Sequence, residues 1–138
     1  EKCALFLKFD DRLAHCIEAG ADMFLMPSRY EPCGLNQLFS LKYGTVPVVR
    51  TTGGLADTVV DATCETLADG TATGFSFVPY ESKSLLDTMH RALAAYADAD
   101  VWSGLVATGM RQDWSWTRSA REYERVYRET IDKRKKKA

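Results

Sequence analysis

The chain has few of the features that mark disulfide-bonded, metal-binding or membrane proteins. Its 138 residues include only four cysteines, two histidines and four prolines, and no long uninterrupted apolar run. A membrane-spanning helix needs about 20 consecutive apolar residues, so none is predicted here. No signal peptide is visible either. However, the sequence opens inside a predicted strand, and a cut N-terminus would hide any targeting signal.

The four cysteines lack the spacing of a zinc site. They are Cys3, Cys16, Cys33 and Cys64, with no Cys-x-x-Cys pair and no matched pair of histidines. We therefore expect no metal and no other cofactor. Cys3 and Cys16 have apolar neighbours and are predicted to be small core residues. Reduced thiols indicate a cytoplasmic protein, or a plastid protein if the source is a plant or alga.

Charge is unevenly distributed along the chain. The formal net charge is -1, but five of the 18 basic residues lie in Lys133–Lys137, which leaves 13 basic against 19 acidic residues elsewhere. A body with this acidic excess is not expected to bind nucleic acid. We predict that residues 1–130 form the folded part and that residues 131–138 form a disordered basic tail.

Strand and helix patterns alternate along the sequence. Four apolar runs are predicted to be strands: 3–9, 22–26, 46–49 and 74–78. Six helices are predicted: 11–18, 35–43, 55–60, 82–96, 101–110 and 118–133. Residues 61–73 are polar and are predicted to be a surface loop. This βαβ order favours an α/β fold with a Rossmann-like, doubly wound parallel sheet, which binds ligands beyond the carboxyl ends of its strands.

Several helix and strand positions carry specific expectations. In the second helix Leu35, Leu38, Phe39 and Leu41 should face inward, and in the fourth helix Leu85, Leu86, Met89, Leu93 and Tyr96 should form one buried stripe. Ser82 or Ser84 is a candidate cap for that fourth helix, and Asp57 and Thr58 are candidate caps for the short third helix. Pro47 should lie at the start of its strand, because proline cannot donate to a strand ladder.

The stretch Pro27–Gln37 has the order of a tight turn between a strand and a helix. Glu31 lies between Tyr30 and Pro32, and Gly34 precedes the helical pattern. Bare glycine backbone and the positive end of a helix dipole favour an anion such as phosphate. A carboxylate beside an anion site suits a ligand with both hydroxyl and phosphate groups, as in a nucleotide-sugar. Similar Pro- and Gly-containing turns also occur in α/β proteins generally, so spacing alone leaves the ordinary structural turn open.

Several motifs that follow one another in a fixed order favour the nucleotide-sugar site over the ordinary structural turn. The segment Ser28–Leu35, followed by Thr52–Val59, resembles the bacterial glycogen synthase and plant starch synthase family. The resemblance extends from about Phe9 to Tyr127 and includes Gln112–Trp116. It implies a retaining enzyme that transfers glucose from a nucleotide-sugar, usually ADP-glucose, to the non-reducing end of an α-1,4-glucan. It also implies two Rossmann-like domains of GT-B type, of which this chain would be part of the C-terminal, donor-binding domain.

The resemblance assigns roles to residues at matching positions. Glu31 would be catalytic, against the hydroxyls of the donor glucose, where it could also stabilise positive charge in the transition state. The other positions matching donor contacts are Phe9, Cys33, Gly34, Leu35, Asn36, Thr52, Gly53 and Gly54. Phe9 would stack on the adenine ring, although a core phenylalanine is an equal interpretation. The second turn, Thr52–Gly54, could instead serve only to pack against the first.

Other polar and aromatic residues are expected to be structural. His15 lacks sequence partners, and Trp114 and Trp116 are better explained by packing than by sugar stacking. Related transferases carry a second glutamate eight positions after the first, where this chain has Phe39. The glycogen synthase branch also has an aromatic there, so the mechanism would rely on one carboxylate.

The resemblance also indicates what this sequence does not contain. In the family an arginine and a lysine that clamp the diphosphate, and a whole first domain with the acceptor groove, precede the matched part. We therefore expect a donor-side fragment that is inactive alone and needs the N-terminal domain of the same protein. A non-catalytic nucleotide-sugar or glucan-binding module is the alternative. A sucrose synthase-like transferase is a third, which the Glu-Pro-Cys-Gly-Leu and Trp-Ser-Trp segments disfavour.

Overall fold

A three-stranded parallel sheet, flanked by helices, organises the chain. The computed structural model describes residues 3–135. The strands are β1 (Met23–Met26), β2 (Val46–Arg50) and β3 (Phe75–Phe77), in the order β1-β2-β3. The helices are α1 (Asp11–Gly20), α2 (Asn36–Tyr43), α3 (Gly54–Thr58), α4 (Cys64–Ala68), α5 (Ser82–Tyr96), α6 (Ala99–Met110) and α7 (Trp116–Lys135). The predicted α/β fold with parallel strands is confirmed.

The central strand β2 holds the core together. Val48 and Val49 point to opposite faces of the sheet and are fully buried, so helices must cover both faces. Val48 belongs to the larger apolar cluster with Phe75, Ala92 and Leu105, while Val49 packs in a second cluster with Leu55 and Val59. Pro47 is the second residue of the strand, as its missing N–H predicts.

Helix α5 has the predicted bounds but a different buried face. Thr88 and Ala92 are buried, whereas Leu86, Leu93 and Tyr96 are exposed, so the predicted leucine stripe is wrong in part. Small residues face the sheet because they let the helix approach β2 and β3 closely. The helix begins after Glu81 without a side-chain cap, so neither candidate serine caps it.

Helix α2 also buries a different face from the predicted one. Leu41 is buried, but its buried neighbours are the polar residues Gln37 and Ser40, while Leu35 and Phe39 are exposed. The polar residues can be buried because their side chains donate hydrogen bonds to backbone carbonyls. The apolar residues line a surface groove instead.

A short helix lies inside the segment predicted to be a loop. Thr63 caps α4, and its hydroxyl accepts from the N–H of Thr66 at 3.2 Å while the hydroxyl of Thr66 accepts from the N–H of Thr63 at 2.9 Å. This reciprocal capping box stabilises a helix of only five residues. A segment that short is too brief to show a helical period in the sequence.

The predicted first strand, 3–9, is wrong. These residues have no regular structure and pair with no strand in the described part of the chain, and Leu7 and Phe9 are almost fully exposed. An apolar run forms a strand only where a neighbouring strand supplies hydrogen-bond partners. The prediction that Cys3 and Cys16 are core residues is also wrong, because all four cysteines are exposed.

The last helix runs further than predicted. Helix α7 continues through Lys135, so residues 131–135 of the proposed disordered tail are helical, while residues 136–138 lie outside the described part. Arg125 pairs with Glu122 and Glu129, and Arg128 pairs with Glu124, along its exposed surface. No residue of the helix is buried, so its stability rests on these local pairs.

We predict that Val48→Ala lowers the free energy of unfolding by about 2 kcal/mol, because it leaves a cavity in the larger core cluster. The matched control is Val60→Ala at an exposed position, with an expected loss below about 0.5 kcal/mol. Urea unfolding followed by circular dichroism measures both. Equal losses in the two variants would contradict the position of the core.

Candidate functional site

Two turns meet at the carboxyl ends of β1 and β2. The first turn, residues 27–35, follows β1, and the second turn, residues 51–53, follows β2. Because the two strands are paired in parallel, with Met26 beside Val49, their following turns lie next to each other. The structure thus brings together the two segments that the sequence singled out.

The two turns pack backbone against backbone. The N–H of Gly54 donates to the carbonyl oxygens of Glu31 at 3.2 Å and Pro32 at 3.1 Å. A Cβ atom at Gly53 would collide with the carbonyl oxygen of Glu31, and one at Gly54 would collide with that of Cys33. Gly53 also has a φ of +46°, which disfavours other residues. Both glycines are therefore required by this contact.

The first turn leads into α2 with its amide groups free. Gly34 has a φ of +70°, and Leu35 precedes the helix without a side-chain cap. Leu38 and Phe39 donate to the carbonyl of Leu35. In the part of the chain that the structure describes, no acceptor is within hydrogen-bond distance of the amides of Gly34, Leu35 or Asn36. These donors and the helix dipole favour an anionic ligand at this position.

Glu31 projects from the same turn with its carboxylate largely uncommitted. Its Oε2 accepts a hydrogen bond from Ser28 Oγ at 3.3 Å, and its side chain is half-buried. Among residues 3–135, no lysine, arginine or histidine nitrogen pairs with this carboxylate. Glu31 can therefore accept further hydrogen bonds, for example from sugar hydroxyls.

Gln37 and Thr58 connect the two turns, and sequence reasoning missed both. The Nε2 atom of Gln37 lies 3.2 Å from the carbonyl oxygens of Cys33 and Gly34 and from Thr58 Oγ1. Thr58 Oγ1 donates to the carbonyl of Gly54 at 2.6 Å. The prediction that Asp57 and Thr58 cap α3 is wrong, since the helix starts after Gly53 and ends at Thr58.

Arg50 contacts the turns after β1 and β3, and the sequence analysis did not identify it. It ends β2, and its Nη1 donates to the carbonyl of Arg29 at 2.8 Å. Its guanidinium lies 5.5 Å from the centre of the Tyr80 ring, in the turn after β3. Arg50 thus joins the turns after β1 and β3, and the signal for it was a charged residue ending an apolar strand.

The other predicted site residues have varied surroundings. Cys33 is exposed, Thr52 is half-buried, and Phe9 is 97% exposed in the irregular segment before α1. The alternative of Phe9 as a core residue is therefore excluded, while its stacking role stays a prediction. His15 contacts the ring of Phe39 at 5.1 Å and lies 3.2 Å from the Tyr43 hydroxyl, which agrees with a structural role.

An open groove of about 620 Å³ adjoins the first turn. Leu35 and Phe39 from α2 form one wall, and Trp114 and Trp116 form the other. The Arg118 guanidinium lies 5.3 Å from the Trp114 ring centre. Trp116 is largely exposed, so the packing role predicted for it has no counterpart within residues 3–135.

Two features are absent from residues 3–135: a helix that could span a membrane and a cluster of metal-binding side chains. No helix among residues 3–135 is both long and apolar enough to cross a membrane. The same residues contain no cluster of three or more histidine, cysteine, aspartate or glutamate side chains that could hold a metal ion.

The chain is similar in sequence to part of several longer known proteins. Residues 2–103 match the family "Glycosyl transferases group 1". The chain is 54% identical over 134 residues to glycogen synthase of Nitrosospira multiformis, covering 97% of this chain and 27% of that protein. It is 55% identical over 131 residues to glycogen synthase 1 of Methylococcus capsulatus, covering 95% and 27%. The chain thus spans about a quarter of these relatives' length.

Solved structures with a similar fold point to the same class. The catalytic domain of starch synthase IV from Arabidopsis thaliana, bound to ADP and acarbose, matches with a TM-score of 0.81 and 38% identity, covering 91% of this chain and 26% of that one. Sucrose-phosphate synthase from Thermosynechococcus elongatus matches with a TM-score of 0.63 at 23% identity, covering 91% of this chain and 29% of that one, which shows the fold alone.

The fold is that of a GT-B glycosyltransferase domain. Within this class, the chain belongs to the glycosyl transferases group 1 family, and its relatives named above are glycogen synthases and a starch synthase. The resemblance predicted from the sequence motifs is confirmed.

We predict that Gly54→Ala lowers the free energy of unfolding by about 3 kcal/mol or more, because its methyl group would drive the two turns apart. Gly70→Ala is the matched control: Gly70 has a φ of +72° but no heavy atom within 4 Å of an added Cβ. Its expected loss is about 1 kcal/mol. Urea unfolding of both variants tests this, and a smaller loss for Gly54→Ala than for Gly70→Ala would refute the packed-turn contact.

Proposed function

We propose that this chain is the donor-side part of a retaining glucosyltransferase. The whole protein would transfer glucose from ADP-glucose to the non-reducing end of an α-1,4-glucan. Its relatives are named glycogen synthases, and the similar starch synthase structure is bound to ADP and acarbose. The observation that carries the proposal is the position of the uncommitted Glu31 carboxylate in the same turn as the free amides that precede α2.

The donor would lie across this turn. The amides of Gly34, Leu35 and Asn36 would bind the phosphate next to the glucose, since they are free donors at a helix N-terminus. Glu31 would accept hydrogen bonds from glucose hydroxyls and stabilise positive charge at the anomeric carbon as its bond to phosphate breaks. Cys33 would contribute through its backbone and not through its thiol.

The remaining predicted contacts have supporting roles in this proposal. Phe9 would stack on the adenine ring, and its exposure leaves its face open to a ligand. Thr52, Gly53 and Gly54 would shape the pocket by holding the first turn in place. Neither a metal nor another cofactor is assigned a part in this reaction.

The charge on the diphosphate would need cations from outside this chain. Arg50 donates one hydrogen bond to the carbonyl of Arg29 and lies over the Tyr80 ring, while its buried Nε has no partner among residues 3–135. Since developing negative charge on the leaving ADP must be stabilised, we expect the rest of the protein to supply those cations together with the acceptor-binding domain. Cytoplasmic location is part of the same proposal.

A non-catalytic module that binds nucleotide-sugars or glucans is the second candidate. It would need only the free amides before α2 and the Glu31 carboxylate, which can bind an anion and sugar hydroxyls without catalysing transfer. An Arg-x4-Lys segment and a Lys-x-Gly-Gly segment in the preceding part of the gene would favour the enzyme.

We predict that Glu31→Gln weakens binding of ADP-glucose by about tenfold but leaves binding of ADP nearly unchanged, because only the glucose contacts the carboxylate. Calorimetric titration of the purified chain measures both affinities. Glu65→Gln, on exposed α4, is the control and should change neither affinity. Equal weakening for ADP and ADP-glucose would refute the assignment of Glu31 to the sugar.

We predict that the isolated chain does not elongate a glucan. The proposed reaction requires charge stabilisation on the diphosphate and an acceptor site, which the proposal assigns to other parts of the protein. The assay follows transfer of labelled glucose from ADP-glucose to a maltooligosaccharide, with an intact glycogen synthase as positive control. Elongation by the chain above background would contradict this expectation.

A further inference from the structure

A fully buried glutamine lies directly beneath the proposed donor turn. Gln37 is 0% exposed, although glutamine is mostly a surface residue. Burial of an amide costs free energy unless its polar atoms are hydrogen-bonded. None of the roles proposed above for the reaction uses Gln37, so its burial needs another explanation.

The acceptors around Gln37 belong to the first turn and to helix α3, which follows the second turn. Nε2 lies 3.2 Å from the carbonyl oxygens of Cys33 and Gly34, which are in the first turn. It also lies 3.2 Å from Thr58 Oγ1, which in turn donates a hydrogen bond to the carbonyl oxygen of Gly54 at 2.6 Å. With one Nε2 proton on a first-turn carbonyl and the other on Thr58 Oγ1, a series of hydrogen bonds runs from the first turn, through Gln37 and Thr58, to Gly54, the residue directly after the second turn.

The amide N–H₂ group of Gln37 faces three acceptors and has two protons to donate, while its Oε1 atom is buried with no hydrogen-bond partner among residues 3–135. All three neighbours act as acceptors towards Gln37, so a carboxylate or an amide oxygen in that place would face two carbonyl oxygens. The amide also packs on the bare Cα of Gly34, where an added Cβ would collide with its Oε1 atom and lie 2.9 Å from its Cδ and Nε2 atoms. Gly34 is therefore required for the amide to occupy this position.

We propose that Gln37 is a positioning residue that holds the two glycine turns together as one rigid unit. It keeps the Glu31 carboxylate and the free amides of the first turn at a fixed separation, so a ligand with sugar and phosphate groups meets both at once. The consequence for ADP-glucose rests on the proposed function, whereas the link between the turns does not.

The test compares variants that break the link at either end. Gln37→Met keeps the side-chain length and removes the donors, and Thr58→Val keeps the shape and removes the hydroxyl. Ser40→Ala is the matched control, because Ser40 is also buried on α2 and donates to a backbone carbonyl, that of Thr45 at 2.7 Å, without contacting either turn.

Two readouts separate positioning from ordinary core packing. Hydrogen exchange of the Gly54 amide reports opening of the contact between the turns, because this amide donates across it. Calorimetry reports the affinity for ADP-glucose, and urea unfolding reports global stability. We expect Gln37→Met and Thr58→Val each to speed Gly54 exchange and to weaken ADP-glucose binding by about tenfold. Ser40→Ala should lower stability without either effect.

The double variant provides the decisive comparison. If the two residues act in one series, Gln37→Met with Thr58→Val should speed Gly54 exchange no more than the stronger single variant. Additive effects, or exchange that rises only in proportion to lost stability, would overturn the proposal. Should Gln37→Met fail to fold, Thr58→Val against Ser40→Ala still decides it. A wild-type chain without affinity for ADP-glucose would refute the donor proposal, while Gly54 exchange would still test the link.

Discussion

The contact between the two glycine turns is the constraint on which the site depends. It exists because β1 and β2 pair in parallel and end at the same edge of the sheet. It is close because Gly53 and Gly54 present bare backbone to the carbonyl groups of Glu31 and Cys33. With any side chain there, the first turn would be displaced, and Glu31 and the amides before α2 would move with it. The position of the site therefore depends on both the strand pairing and the two glycines.

The site combines groups that favour an anion with a carboxylate that is not paired with a cation in the described part of the chain. Amide donors and a helix dipole favour an anion, while Glu31 adds a carboxylate that is in no ion pair among residues 3–135. The carboxylate and the anion-binding amides would act on different parts of one ligand, the sugar and the phosphate. In the proposed function, cations for the diphosphate would come from outside these residues, and the glycogen synthases that the chain matches are about four times as long as it is.

Much of the fold and part of the site could be predicted from the sequence. Strand β2 and helix α5 were predictable because an apolar run and an amphipathic period are local signals. The two turns were predictable from Gly34, Gly53 and Gly54. The irregular 3–9 segment was not, because its apolar composition is that of a strand and only the absence of a paired neighbour decides otherwise.

The roles of Gln37 and Arg50 could not be predicted from the sequence either. Each makes its contacts with residues that are distant in sequence, so no local pattern reports them. A polar residue on the inward face of a helix was the one available sign for Gln37. The inward face itself was wrongly predicted, because apolar Leu35 and Phe39 were expected there and line the open groove instead.

The most direct test of the account follows backbone amide resonances while the chain is titrated with ADP-glucose. If the turn before α2 binds the donor phosphate, the amides of Gly34, Leu35 and Asn36 should shift first and furthest, with the Gly54 amide following through the contact between the turns. Shifts confined to the groove around Trp114, with Gly34–Asn36 unchanged, would contradict the account, because the ligand would then bind away from Glu31.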